Sequence, residues 1–149
     1  GSFCLSKGLG APVGSLICAD ARGITPLRRL RKMFGGGMRQ AGILAAAGLY
    51  ALRYNVTRLS EDHARAKRLA TMLAELPGVR VDPKLVETNI VVFDITETRR
   101  TTEELIATLK GQGLLVVPFG PMSLRAVTHL DVSDDQIDEA CGIFKRVFV

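Results

Sequence analysis

Blocks of apolar and polar positions divide the chain into elements whose periods can be read one after another. Phe3-Cys4-Leu5 reads as the end of a buried strand and Ser15 to Ala19 as a second short strand, on either side of a glycine-rich loop, Ser6-Lys7-Gly8-Leu9-Gly10-Ala11-Pro12-Val13-Gly14. Thr25 is placed to cap a helix whose first residue is Pro26, where a missing amide hydrogen costs least, and Gly35-Gly36-Gly37 should end it. From Met38 to about Asn55 nearly every residue is apolar or small, which predicts a helix without a polar face, buried on most sides by a domain or subunit interface. Ser60 reads as the cap of the next helix, with Glu61 and Asp62 against the positive end of its dipole. Its stripe is Ala66, Leu69, Ala70, Leu73 and Leu76, and Pro77-Gly78 ends it. Val79-Arg80-Val81 and Asn89 to Ile95 are strand-like. Thr101 and Glu104 have capping-box spacing for a helix that reaches Lys110 and closes at Gly111-Gln112-Gly113. Leu114 to Val117 and Leu124 to Thr128 read as two more strands. Ser133 and Gln136 cap a last helix with Ile137, Cys141, Phe144 and Phe148 on one face. From residue 60 onward this order suits a small α+β layer with helices on one side of a sheet.

Composition narrows the class. The 149 residues are 47% hydrophobic and 23% charged, enough apolar surface to offset chain entropy, so disorder and a coiled rod are excluded. Cys4, Cys18 and Cys141 lie far apart with no metal-knuckle spacing, which fits reduced thiols in a cytoplasmic setting. The longest apolar run, Ala41 to Leu52, is 12 residues with two glycines, short of the roughly 20 that span a membrane. Gly1-Ser2-Phe3-Cys4-Leu5 has no secretory leader pattern, so neither membrane nor export is expected.

Charge is concentrated. Between Asp20 and Glu61 no acid interrupts Arg22, Arg28, Arg29, Arg31, Lys32, Arg39, Arg53 and Arg58, while the whole chain carries only +5. The remainder is therefore net acidic. Nucleic acid is ranked below a small anionic ligand, because only Phe34, Tyr50 and Tyr54 are at hand for base stacking. The plainer reading of Arg28 to Lys32 is a solvated helix face or a contact with an acidic partner surface.

The loop around Lys7 admits three chemical readings. A dinucleotide fingerprint needs a helix after its glycines, and here a strand follows. A phosphate-cradling loop needs its lysine after the glycines, and Lys7 precedes them. The third is a lysine amine at the mouth of a sheet that condenses with a carbonyl group. Taken alone, Lys7 reads as an exposed residue of a glycine-rich loop rather than a catalytic amine.

Three ordered segments carry more information than spacing. Phe3-Cys4-Leu5-Ser6-Lys7-Gly8-Leu9-Gly10-Ala11-Pro12-Val13-Gly14-Ser15 resembles the cofactor-lysine segment of the pyridoxal-phosphate-dependent L-threonine aldolases. Arg31-Lys32-Met33-Phe34-Gly35-Gly36-Gly37-Met38-Arg39-Gln40-Ala41-Gly42 and Leu124-Arg125-Ala126-Val127-Thr128-His129-Leu130-Asp131-Val132-Ser133 resemble the same family. The resemblance covers the whole chain and corresponds to the carboxyl-terminal part of a family member. It implies an α/β fold of the aspartate-aminotransferase type: residues 1–57 as the tail of the large cofactor-binding domain and 58–149 as the small α+β domain.

The resemblance also implies chemistry. The family cleaves L-threonine, and often L-allo-threonine, to glycine and acetaldehyde, with the ring of the cofactor accepting the electrons of the breaking bond. Lys7 matches the lysine that holds pyridoxal 5'-phosphate, and Arg125 the arginine that binds the carboxylate of the amino-acid substrate. Without the match, Arg125 reads as an outward residue of an amphipathic strand. Lys32 and Arg39 match positions near the cofactor phosphate or a neighbouring subunit's pocket; alternatively they are a basic helix end and a residue after a turn. His129 reads as a turn anchor and His63 as solvated. The family's ring-stacking histidine and pyridine-pairing aspartate have no counterpart in these residues, so this chain alone is expected to be inactive. The family's dimers and tetramers, with the apolar stretch after Met38, imply a homo-oligomer. Another lyase or glycine-dependent aldolase of the same fold, and a non-catalytic oligomerising piece, stay open.

Overall fold

A computed structural model describes residues 1–149, which form two compact units, Gly1–Leu59 and Ser60–Val149. In the first, strands β1 (Ser2–Cys4) and β2 (Ser15–Ile17) pair antiparallel, with Phe3 opposite Leu16. Helix α1 (Ala21–Met33) comes next. It starts five residues before the expected Pro26, because Asp20 takes the cap position and its carboxylate accepts the Gly23 N–H at 2.8 Å. Pro26 is thus inside the helix, and the Thr25 hydroxyl donates to the Ala21 carbonyl at 3.0 Å instead of capping. The triple glycine ends α1 as expected, through a double-bonded stop: Gly36 N–H to Arg31 C=O at 2.8 Å and Gly35 N–H to Lys32 C=O at 3.2 Å. Gly35 sits at φ +81°, which an L side chain disfavours.

Helix α2 (Gly42–Tyr54) corrects a second expectation. Residues 38–41 stay outside it, since Gln40 at φ +52° cannot continue a right-handed helix. Within this chain only its Gly48 and Ala51 are buried, while Ile43 is 85% and Leu49 68% exposed, which leaves the large apolar residues to the interface that the expectation invoked. Packing within the unit thus uses the small residues and leaves the large ones outward.

The second unit begins in helix α3 (Leu59–Leu73), which starts one residue before the expected cap, so Ser60 lies in its first turn. Strand β3 (Ile90–Asp94), helix α4 (Thr102–Gly111), strands β4 (Val117–Gly120) and β5 (Ser123–Val127), and helix α5 (Asp134–Phe148) complete it. Both capping boxes form, at Thr101 with Glu104 and at Ser133 with Gln136. The strand expected at Leu114 to Val117 begins only at Val117, because Leu114 N–H still bonds to Leu109 C=O at 2.9 Å as α4 unwinds. Val79 to Val81 contribute a single bridge, Arg80 to Asp94.

The sheet is antiparallel in the order β3-β5-β4, and alternation gives it two faces. Val91, Phe93, Leu124 and Ala126 pack with Leu69, Ala70 and Leu73 of α3, Leu105 and Leu109 of α4, and Ile143 and Phe144 of α5. The other face carries Val92, Arg125 and Val117 in cross-strand register. Pro118 is tolerated because β4 is an edge. Arg65 ties α3 to α5 through Asp134, bonding at 3.0 and 3.3 Å.

Phe93 and Phe144 meet edge to face, with ring centroids 5.7 Å apart. Phe144→Ala is expected to cost about 3–5 kcal/mol in urea unfolding. Asp94 supplies a pH prediction: its carboxylate accepts from Thr96 N–H and hydroxyl and faces Arg80, which hold its pKa below the usual value. A depressed folded-state pKa adds stability above the unfolded value, and this is lost as pH falls through the folded one. Asp94→Asn should therefore lower the urea midpoint at pH 6 and make its decline between pH 5 and pH 3 shallower.

Candidate functional site

Lys7 occupies a turn whose backbone is held from several directions. Leu5 N–H donates to Gly14 C=O at 2.8 Å and Leu5 C=O accepts from Ala11 N–H at 2.9 Å, which closes the loop leaving β1. Within it, Gly10 N–H donates to Lys7 C=O at 2.8 Å, so Lys7 to Gly10 form a tight turn. Leu5, Leu9 and Ala11 bury themselves with Ala51 of α2. Gly48 allows that approach, since a Cβ there would stand 3.0 Å from Leu5 Cδ1. Asn55 completes the clamp as its Nδ2 donates to Leu9 C=O at 2.7 Å. The apolar side of the loop is thereby buried and the Lys7 side chain exposed.

Lys32 and Arg39 belong to the same unit and are both exposed. Lys32 is in the last turn of α1, with its aliphatic stem folded over Gly37, where a Cβ would meet Lys32 Cδ at 2.6 Å. Arg39 is in the bend before left-handed Gln40. The only acid of this unit is Asp20, and its carboxylate caps α1. The surroundings of these cations therefore favour an anion.

Arg125 stands in the second unit at the middle of the central strand β5. Residues opposite one another in antiparallel strands share a face, so Val92 and Val117 flank it. Its Nε is buried and has no hydrogen-bond partner. A guanidinium whose buried Nε has an unmet donor is suited to a planar, two-oxygen anion, which it can grip through parallel bonds. His129 comes just after the strand with Nδ1 3.4 Å from an Asp131 carboxylate oxygen, and its carbonyl accepts the Val132 N–H at 2.9 Å. That is the turn-anchoring role expected of it. His63 is half-buried rather than fully solvated.

Two positions that set this geometry escape a reading of the sequence. Asn55 looks like the polar end of an apolar helix, and the one hint of its role is that it is the first amide after a long uncharged run. Asn89 looks like a strand boundary, yet its Nδ2 donates to Thr128 C=O at 2.8 Å.

Comparison with known proteins supplies the relatives. Residues 1–96 match the family described as beta-eliminating lyase. The chain is 44% identical over 148 residues to a protein named probable low-specificity L-threonine aldolase 2 from Arabidopsis thaliana, covering 99% of this chain and 42% of that one. It is 45% identical over 141 residues to the low specificity L-threonine aldolase of Escherichia coli (strain K12), covering 95% of this chain and 40% of the relative. The chain thus spans about two fifths of these relatives' length. Among solved structures, a PLP-dependent aminotransferase from Streptococcus suis superposes with a TM-score of 0.73 at 16% identity, over 98% of this chain and 40% of that one. A putative aromatic amino acid beta-eliminating lyase/threonine aldolase from Exiguobacterium sp. gives 0.71 at 20% identity, over 99% and 44%. These two likenesses establish the fold: the α/β architecture is that of a portion of the PLP-dependent enzymes.

If Asn55 holds the Lys7 turn, Asn55→Ala should lose about 1 kcal/mol, the net value of one hydrogen bond. Amide exchange at Gly10 and Ala11 would then quicken about fivefold while exchange in α1 stays unchanged, as measured by NMR or mass spectrometry.

Proposed function

The chain belongs to the beta-eliminating lyase family, and we propose that it forms the lysine-bearing portion of a pyridoxal-phosphate-dependent carbon–carbon lyase that cleaves L-threonine and L-allo-threonine to glycine and acetaldehyde. The observation that carries this reading is that the 44% identity to a protein named as a threonine aldolase runs over 148 residues, and so through the Lys7 turn and the Arg125 strand alike. In this reading the first unit is the end of a cofactor-binding domain and the second a small domain bearing the substrate clamp.

The residues present suit the cofactor by their chemistry. An exposed primary amine on a clamped turn can condense with an aldehyde, and a unit rich in Lys and Arg with a single acid can accept a phosphate. Lys7 would hold pyridoxal phosphate through Nζ, with Lys32 and Arg39 as the cations for its phosphate or for a neighbouring copy's pocket. When bound, the cofactor supplies an electron sink for the pair left by the breaking Cα–Cβ bond.

Two groups of this chain have roles in that reaction. Arg125 grips the substrate carboxylate and fixes the direction of the bond to be broken. The substrate hydroxyl gives up its proton as acetaldehyde departs, and Cα gains a proton to become glycine. Lys7 Nζ, when not holding the cofactor, would be a primary amine able to hold or move that proton.

A homo-oligomer, dimer or tetramer, belongs to this proposal. It is supported by the outward Ile43, Leu49, Tyr50 and Tyr54 of α2, an apolar set of the kind that marks an interface. A cytoplasmic setting is supported by three free thiols, and no helix is long and apolar enough to cross a membrane. The same α2 face favours a second reading, an interaction piece without catalysis. Borohydride trapping separates the two.

Expressed at the full length of its relatives, the protein should give a borohydride-reducible adduct on Lys7 and release acetaldehyde from L-threonine. Lys7→Ala should abolish the adduct, and a persistent adduct on that variant would overturn the assignment. Arg125→Lys should raise KM for L-threonine roughly tenfold to a hundredfold, as expected for a charge-assisted bond lost from a two-point grip.

A further inference from the structure

Thr128 is 1% exposed and lies one residue beyond the end of β5, and every polar group it owns is engaged within the second unit. Its hydroxyl donates to Asp62 C=O in α3 at 2.7 Å. Its N–H donates to Asn89 C=O at 3.0 Å, and its C=O accepts from Asn89 Nδ2 at 2.8 Å. The carboxylate-bearing Asp62 is itself fully buried, 3.7 Å from Arg65, and Arg65 is bonded to Asp134 at the start of α5. Three elements meet at this one threonine.

We propose that Thr128 is a positioning residue for Arg125: its latch onto Asn89 and Asp62 holds the carboxyl-terminal half of β5 so that the guanidinium meets a substrate carboxylate at the right angle. This rests on the reading of Arg125 as the carboxylate clamp. The strand pairing shows why a latch is needed. On the β4 side, pairing runs from Gly120 opposite Ser123 to Val117 opposite Arg125 and stops there. Past Arg125 the central strand keeps β3 alone as its neighbour, through Ala126 and Val127. Arg125 is therefore the last residue of β5 supported from both sides. Thr128 anchors the one-sided end of the strand.

Alternation ties the two residues together. Leu124, Ala126 and Thr128 point to the packed side and are all buried, so Arg125 and Val127 point to the other. A small twist or slide at the strand end reaches the guanidinium almost undiminished, because only two peptide planes separate Val127 from Arg125. A two-point grip on a carboxylate tolerates little displacement. Such a grip serves ground state and transition state alike, so its loosening registers in KM before kcat.

The test uses the enzyme expressed at the full length of its relatives. Thr128→Val keeps the shape and removes the hydroxyl; Thr128→Ser keeps the hydroxyl. T128V should raise KM for L-threonine about threefold to tenfold with kcat within about twofold, and T128S should stay within about twofold of the parent in both. A T128V enzyme with a lowered Tm and an unchanged KM would make the residue structural only and overturn the proposal. If T128V does not fold, Asn89→Ser, which removes only the side-chain bond to Thr128 C=O, must raise KM without lowering kcat, or the proposal falls. R125K separates the two layers. An unchanged KM in R125K defeats the clamp and the proposal with it, whereas a raised KM in R125K beside an unchanged one in T128V defeats the positioning role alone.

Discussion

The close approach of α2 to the loop after β1 is the constraint on which the lysine site depends. Large side chains on the inner face of α2 would hold the helix away from Leu5, Leu9 and Ala11; Gly48 and Ala51 let it come near enough to bury all three. A glycine in mid-helix costs roughly 1 kcal/mol against alanine, so its presence is repaid by packing rather than by helix propensity. The apolar contacts set the position of the loop, and the Asn55 bond to Leu9 C=O sets its height. With both in place, exposed Lys7 stands on a backbone that has little freedom to retreat, which would lower the entropy lost in the proposed engagement of its amine with a ligand.

Arg125 illustrates the opposite strategy. Nothing in its sequence neighbourhood looks like a pocket, and its usefulness comes from register: strands on both sides bring a valine opposite it. Burying a guanidinium nitrogen without a partner costs about 1–3 kcal/mol. A strand could avoid that cost with an apolar residue at the same point. Keeping an arginine there is accounted for when an incoming anion supplies hydrogen bonds to the guanidinium, and a lysine could not replace it as a planar fork.

Local signals were legible where a residue's role is decided within one turn. Both capping boxes, the glycine stop of α1 and the stripe of α3 are set by neighbours three or four residues away. The misread starts are competitions between equally local signals: Asp20 and Thr25 both offer a cap, and the carboxylate wins even though Pro26 is then carried into the helix interior. Leu114 to Val117 has the composition of a strand, but the exit from α4 claims its first amide. The exposure of α2 could not be read at all, because apolar residues on every face say that burial is required and not what provides it. Asn55 and Asn89 belong to this second kind, since each acts on a carbonyl about forty residues away in sequence, 46 for Asn55 and 39 for Asn89.

Charge does different work in the two units. In the second, acids and bases compensate one another at short range: Arg65 and Arg68 face Asp134, and Arg80 faces Asp94 and Glu97. The Arg65 bond holds the Asp134 pKa below its usual value, so that pair serves to fasten α3 to α5. In the first unit, the one carboxylate caps α1, and Lys and Arg far outnumber it. Such an excess raises self-repulsion and weakens a small unit unless an anion offsets it. In the proposed function a phosphate-bearing aldehyde would meet that demand with both of its functional ends, one for the cations and one for the amine, and an acidic partner surface would meet it for the helix face from Arg28 to Lys32.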